Sequence, residues 1–193
     1  MDRLRTECPW DRQQTHRSLL TYLVEEAYEA VEAVESGDTP HLREELGDLL
    51  LQVVFHARIA EEHADGDAFD IDDVTGGIVE KLVRRHPHVF ADTAVTGAAD
   101  VEANWETIKA AEKQRSSVLD GIPAALPALS LAAKTLSRAA RVDDVALTEQ
   151  TDELGDRLLR LVVESQTAGL DPEQVLRDAV RRLAERVRAT EAG

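Results

Sequence analysis

With a single cysteine, Cys8, the chain forms no internal disulfide, so its fold rests on burial and hydrogen bonding, and a reducing compartment is expected. Aromatic residues are scarce at 4% while hydrophobic ones reach 43%, so Ala, Leu and Val carry the apolar content beside many Glu and Arg, a balance that favours helices. No apolar run approaches the ~18 residues of a membrane-spanning helix. Met1-Asp2-Arg3-Leu4-Arg5 contains no apolar signal core, which predicts a cytoplasmic protein with no membrane partner. Bases are outnumbered, 22 against 38 acids, for a net charge of −16. Such a surface repels nucleic acid and anionic lipid, and an anionic substrate needs a metal or a local basic cluster. Also missing are a Walker-type glycine loop, a Gly-x-Ser-x-Gly elbow, Cys/His zinc spacing and the Glu-x-x-His pair of di-iron bundles.

What is present is a succession of helical periodicities in 193 residues, enough for one domain or two small ones. After an irregular lead-in at Cys8-Pro9-Trp10-Asp11, a helix is predicted over about Thr15 to Ser36, with an apolar stripe of Leu19, Leu20, Leu23, Val24, Ala27, Ala30, Val31 and Val34. The turn Ser36-Gly37-Asp38-Thr39-Pro40 leads to a second helix over about Thr39 to His63, with Thr39 as N-cap and Pro40 first in the helix. Its main stripe reads Leu42, Leu46, Leu49, Leu50, Val53, Val54, Ala57 and Ala60, and Leu51, Phe55 and Ile59 make a second line opposite. Such a helix needs burial twice. Gly47 in its middle predicts a close helix approach. A loop at Asp65-Gly66-Asp67, a helix from about Asp70 to Arg85 stopped by Pro87, and a helix over about Ala99 to Arg115 follow. Residues 116–123 read as a linker, and helices are predicted over about Pro127 to Arg141, Asp144 to Thr167 and Pro172 to Thr190.

The acids fall into two groups, Glu25, Glu26 and Glu29, then Glu45 and Asp48. Within each group a three-residue spacing puts two carboxylates on one helix face. Glu29 stands eight residues before Gly37 and Asp48 eight after Pro40, each ~12 Å from the turn at ~1.5 Å per residue, so an antiparallel pair brings them level. Helical phase puts Glu26 and Glu29 at the edge of the apolar stripe and turns Glu25 and Glu32 away. Glu45 and Asp48 lie on an otherwise apolar helix, where carboxylates are costly unless paired or bound to a metal. Four or five oxygen donors favour magnesium, with manganese as a substitute, over zinc. Lys81, Arg84, Arg85 and Lys109 offer a basic cluster for phosphate. Trp10 and Trp105 are core residues or stacking surfaces for a base. His86 and His88 flank Pro87 as structural residues at a helix stop.

The chain also matches itself. Glu45-Leu46-Gly47-Asp48 recurs as Glu153-Leu154-Gly155-Asp156, and Val74, Val79, Leu82 and Arg85 correspond to Val175, Val180, Leu183 and Arg186. No counterpart of the Glu25–Glu29 helix precedes the second copy. The organisation expected is therefore a catalytic domain over 1–118 and a degenerate, truncated repeat over 119–193, used for packing or dimerisation and holding no catalytic metal.

Cys8-Pro9-Trp10-Asp11 with Gln14-Thr15, the Glu-Glu-x-x-Glu at 25–29, the Glu-x-x-Asp at 45–48 and the run from Lys81 to Phe90 together resemble the MazG family of nucleoside triphosphate pyrophosphohydrolases over about residues 3–141. The resemblance implies an all-α MazG-like helical bundle, usually a homodimer. It further implies magnesium-dependent hydrolysis of NTPs or dNTPs to the monophosphate and pyrophosphate, suited to removing aberrant or excess nucleotides. It assigns metal ligation to Glu26, Glu29, Glu45 and Asp48, and nucleotide contacts to Lys81, Arg85, Trp105 and Lys109, with Arg84 and Trp10 beside them. The implied chemistry is attack at the α-phosphorus with pyrophosphate leaving, and Glu25 stands as base or second-metal ligand. The alternatives are a dUTPase-like or damaged-nucleotide pyrophosphatase and, in another class, a non-catalytic helical interaction module.

Overall fold

The computed structural model describes residues 1–64, 66–113, 116–149 and 151–193, apart from the side chains at 99, 102, 103, 106, 107, 110, 111 and 113. The expected loop residue Asp65 and the expected helix end Arg115 lie outside the described residues. Every regular element among the described residues is helical: α1 Asp2–Glu7, a 3-10 turn Asp11–Gln13, α2 Leu20–Ser36, α3 Thr39–Ala60, α4 Ile71–Arg85, α5 Pro87–Phe90, α6 Ala98–Lys113, α7 Ala128–Ala139, α8 Leu154–Thr167 and α9 Pro172–Glu191. No helix is long and apolar enough to cross a membrane among the described residues. The chain divides into two compact units, Met1–Ile108 and Lys109–Gly193.

The first unit is built on the packed pair α2 and α3. Gly37, at φ +71, ends α2 in a left-handed turn in which Gly37 N donates to Val34 O and Asp38 N to Ala33 O. The Asp38 carboxylate then accepts from His41 N at 3.0 Å and caps α3, so the cap lies one residue before the expected Thr39 and Pro40 is the second helical residue. Proline is tolerated there because its missing N–H would have no helical partner. α2 begins at Leu20, later than the expected Thr15. Thr15 N donates to Ser18 Oγ at 2.9 Å and Ser18 N to Thr15 Oγ1 at 3.1 Å, a local exchange that holds residues 16–19 as a turn before the regular helix.

Leu19, Phe55 and Ile59 form the core with Met1 against them, and Ala30, Ala33, Ala57 and Ala60 are also buried. The buried face of α3 thus follows Phe55 and Ile59 together with the polar Glu45 and Gln52. Leu46, Leu50 and Val53 of the expected main stripe are at least 41% exposed. Among the described residues nothing lies within 4 Å of a Cβ at Gly47, so no helix of the same unit explains it by close approach. The N-terminal segment is tied to the end of α3: Arg5 Nε and Nη2 donate to the two carboxylate oxygens of Glu62 at 2.9 and 2.8 Å, and Arg58 Nε donates to Asp2 at 2.6 Å. Arg5 also donates to the carbonyls of Asp11 and Gln14, fixing the stretch that carries Trp10. The Arg5 contact holds the Glu62 carboxyl below its ordinary range.

α4 opens with a reciprocal cap between Asp70 and Asp73. It ends at Arg85, where His86 Nδ1 donates back to Leu82 O at 2.7 Å. Pro87 does more than stop that helix, because it is the first residue of α5, a position its fixed φ suits. In the second unit α7 packs against α8 and α9, and Leu136 and Val162 are buried. The expected helix from Asp144 starts only at Leu154. Asp144 is left-handed at φ 61, and Arg160 donates to the carbonyls of Glu149 at 2.7 Å and Thr151 at 2.9 Å, bonds that hold the backbone outside a helix. The expected linker is pinned as well, since Arg138 donates to Asp120 O at 2.8 Å and Asp120 accepts from Ser116 and Ser117.

Candidate active site

The antiparallel course of α2 and α3 brings carboxylates from both helices together. One oxygen each from Glu26, Glu29 and Glu45 lies within 4.8 Å of the others. Glu45 is the deepest at 6% exposure; its Oε1 lies 2.8 Å from His41 Nε2, and its Oε2 is buried with no hydrogen-bond partner. Glu26 has its pKa raised, first by burial and then by the charges of Asp48, Glu29 and Glu45, with a hydrogen bond to Glu29 acting the same way. Asp48, half-buried, therefore stands within electrostatic reach of the group although it is not one of the three converging residues. Glu25 is exposed.

Carboxylates this close repel unless a proton or a cation sits among them. A buried carboxylate oxygen without a partner, within an all-oxygen donor set, fits a hard divalent ion such as magnesium or manganese. His41 escaped the sequence reading. Its only signal is its place four residues before Glu45 in the first turn of α3, where a lone histidine is unremarkable.

Trp10 is 49% exposed and meets Tyr22 edge-on at 5.8 Å and Phe55 at 6.5 Å, so α2 and α3 carry an aromatic platform on the turns beyond the carboxylates. Lys81, Arg84 and Arg85 occupy the last part of α4, with Lys81 and Arg85 half-buried and Arg84 exposed. Trp105 of α6 meets His86 at 5.6 Å, close to where the basic run ends. Lys109 lies one turn after Trp105 on α6 and is the first residue of the second unit. His16 and His56 share a hydrogen bond between their Nδ1 atoms at 2.7 Å, a pair the sequence did not announce.

The described residues thus form an all-α fold in which one unit holds both an acidic cluster across its packed helix pair and a basic helix end. Residues 14–90 match the MazG nucleotide pyrophosphohydrolase domain. The chain is 40% identical over 217 aligned positions to the nucleoside triphosphate pyrophosphohydrolase/pyrophosphatase MazG of Thermotoga maritima, covering 99% of this chain and 82% of that one. It is 45% identical to the nucleoside triphosphate pyrophosphohydrolase of Mycobacterium tuberculosis, covering 99% of this chain and 56% of that one. It is 52% identical to an uncharacterized 26.1 kDa protein in the blaB 3' region of Streptomyces cacaoi, covering 99% of this chain and 79% of that one. The chain belongs to the MazG family.

Proposed function

We propose that the protein is a nucleoside triphosphate pyrophosphohydrolase, converting NTPs or dNTPs to the monophosphate and pyrophosphate with magnesium held by Glu26, Glu29, Glu45 and Asp48. The observation that carries this is the convergence of one oxygen each from Glu26, Glu29 and Glu45 within 4.8 Å across the α2–α3 pair, at a Glu45 that also holds a buried oxygen without a hydrogen-bond partner. The names of the Thermotoga and mycobacterial relatives support the choice of reaction. Bound magnesium, or manganese in its place, supplies charge neutralisation on the phosphate oxygens and a lower pKa for the hydrolytic water.

The chain's own residues do the rest. His41 fixes Glu45 through Oε1 and leaves Oε2 for the ion. Glu25, exposed on α2, accepts a proton from the attacking water. Lys81, Arg84, Arg85 and Lys109 offset the charge of the triphosphate and of the departing pyrophosphate. Trp10, with half its surface open, stacks the base, and Trp105 backs the basic helix end through His86.

Two copies of the chain form a homodimer, a reading supported by the uncovered rows Leu46, Leu50 and Val53 on α3 and Leu20, Val24 and Val34 on α2, all at least 41% exposed. Residues 119–193 act as the degenerate repeat, serving packing or dimerisation. A cytoplasmic enzyme of this kind removes aberrant or excess nucleotides. The test is pyrophosphate release from a panel of NTPs and dNTPs with and without magnesium. Magnesium-dependent release is expected, and no release from any member of the panel overturns the reading. Sedimentation as a monomer at micromolar concentration overturns the dimer.

A further inference from the structure

Glu45 and Gln52 are the two buried polar side chains in the first unit's described residues, and the two share a peculiarity. Gln52 is 5% exposed, its Oε1 is buried, and that atom has no hydrogen-bond partner. Folded proteins seldom leave such an atom unpaired, and where they do a bound molecule is one explanation. For Glu45 the missing partner is the cation already proposed. Gln52 stands seven residues further along the same helix, on the same face, and an amide is a poor ligand for magnesium when carboxylates are at hand.

Its neighbours along that face say what its partner is. One turn back is Asp48, at the carboxylate end; one turn on is Phe55, which lies under the half-open ring of Trp10 at 6.5 Å. At ~1.5 Å per residue the amide is displaced ~6 Å from Asp48 along the helix axis, and Phe55 ~10 Å, an offset such as one sugar ring puts between an α-phosphate and its base. Beyond Gln52 the seam runs into the apolar core of Leu19, Phe55 and Ile59, with the half-buried His56 one turn on. A flat aromatic ring tolerates such surroundings, whereas ribose hydroxyls lose their water there without enough partners. An amide presents donors and an acceptor in one plane, the pattern offered by the edge of a base.

We infer that Gln52 reads the hydrogen-bonding edge of the nucleobase, while Trp10 covers the face of the ring. This rests on the nucleotide activity proposed above and adds to it the residue that distinguishes one base from another. Discrimination of this kind is strong because the wrong base leaves the buried amide unpaired.

The test compares wild type with Gln52→Met, which keeps length and removes hydrogen bonding. kcat and KM are measured for the four common NTPs and four dNTPs with magnesium, beside Mn2+ affinity by calorimetry and the thermal midpoint. Q52M is expected to bind Mn2+ like wild type and to melt no lower, since an unpaired polar group has been removed. KM for the preferred base rises about tenfold or more with kcat nearly unchanged, and preference among bases flattens while the ribo/deoxy ratio holds. An unchanged base profile overturns the inference, and a change confined to the ribo/deoxy ratio overturns it in favour of a sugar contact. If Q52M fails to fold, Gln52→Glu keeps the shape, removes the donors and must alter the order of base preference; an unaltered order overturns the inference. Wild type that turns over none of the eight nucleotides sinks the activity instead. The same eight compared by thermal shift on wild type and variant then decide Gln52, with identical shifts counting against it.

Discussion

The tetrapeptide Glu-Leu-Gly-Asp occurs twice, at 45–48 and at 153–156, and the two copies live in different physical settings. In the first copy it lies two turns inside α3, where Glu45 is buried across from Glu26 and Glu29 of the packed α2. In the second, Glu153 is the residue before α8, exposed and with extended backbone, and Asp156 accepts the hydroxyl of Thr151 in the first helical turn. A carboxylate at a helix start is stabilised by the free N–H groups and the dipole there. The same four letters therefore make a strained acidic cluster in one place and a relaxed helix start in the other. What separates them is the partner helix and the distance from the helix end, neither of which resides in the tetrapeptide.

Four predictions sharpen that contrast. The largest effect falls on the first copy: Glu45→Ala or Asp48→Ala is expected to lower pyrophosphate release by about a hundredfold or more, with far-UV circular dichroism largely retained. Wild-type turnover by either variant would reduce the two copies to one kind. Next comes His41→Ala, which frees Glu45 to rotate; calorimetry should show Mn2+ affinity down about tenfold to a hundredfold, with His41→Asn recovering part of it.

The third concerns the metal-free protein. Because the folded state holds the Glu26 proton more tightly than the ordinary carboxylate value of 4.5, its stabilising share is complete below 4.5 and is lost as pH rises through the raised value. Glu26→Gln should thus melt higher than wild type at pH 7 without metal, and the gap should close as pH falls toward 4.5. Identical melting of the two at pH 7 would mean that no repulsion is stored there. The smallest effects belong to the second copy. Glu153→Ala should leave turnover within about twofold, and Asp156→Ala should cost about 1 kcal/mol of stability by denaturant melting and no activity. A large loss of turnover in Glu153→Ala would make the second copy catalytic.

Much of the site was legible because carboxylates three apart on helices joined by a Gly/Pro turn have few ways to pack. Spacing levelled Glu29 with Asp48, whereas the oxygens that converge are those of Glu26, Glu29 and Glu45, with Asp48 within electrostatic reach of them. The core face of α3 was less legible. That helix is apolar nearly all round, and the seam follows Glu45, Gln52, Phe55 and Ile59 while Leu46 and Leu50 stay outside. Counting apolar residues cannot find a face whose middle is polar. The late start of α8 was hidden for a different reason. Residues 144–153 have a helical pattern, and the bonds that override it come from Arg160, a side chain further along the chain. Gly47 was overread, since the cost of glycine inside a helix invites a steric motive and the surrounding space is open.

The Arg5–Glu62 ion pair joins residues 57 apart, so it works on the chain as a reversible cross-link, and what it closes includes Trp10 and the whole of α2 and α3. A cross-link of this kind lowers the entropy gained when the loop opens, and this one comes with an acid release, because protonating Glu62 below its depressed pKa removes half of the pair. The first seven residues thereby tie the stretch that carries Trp10 to the end of α3. A tag, fusion or truncation at that end of the chain is therefore expected to loosen the stretch that carries Trp10.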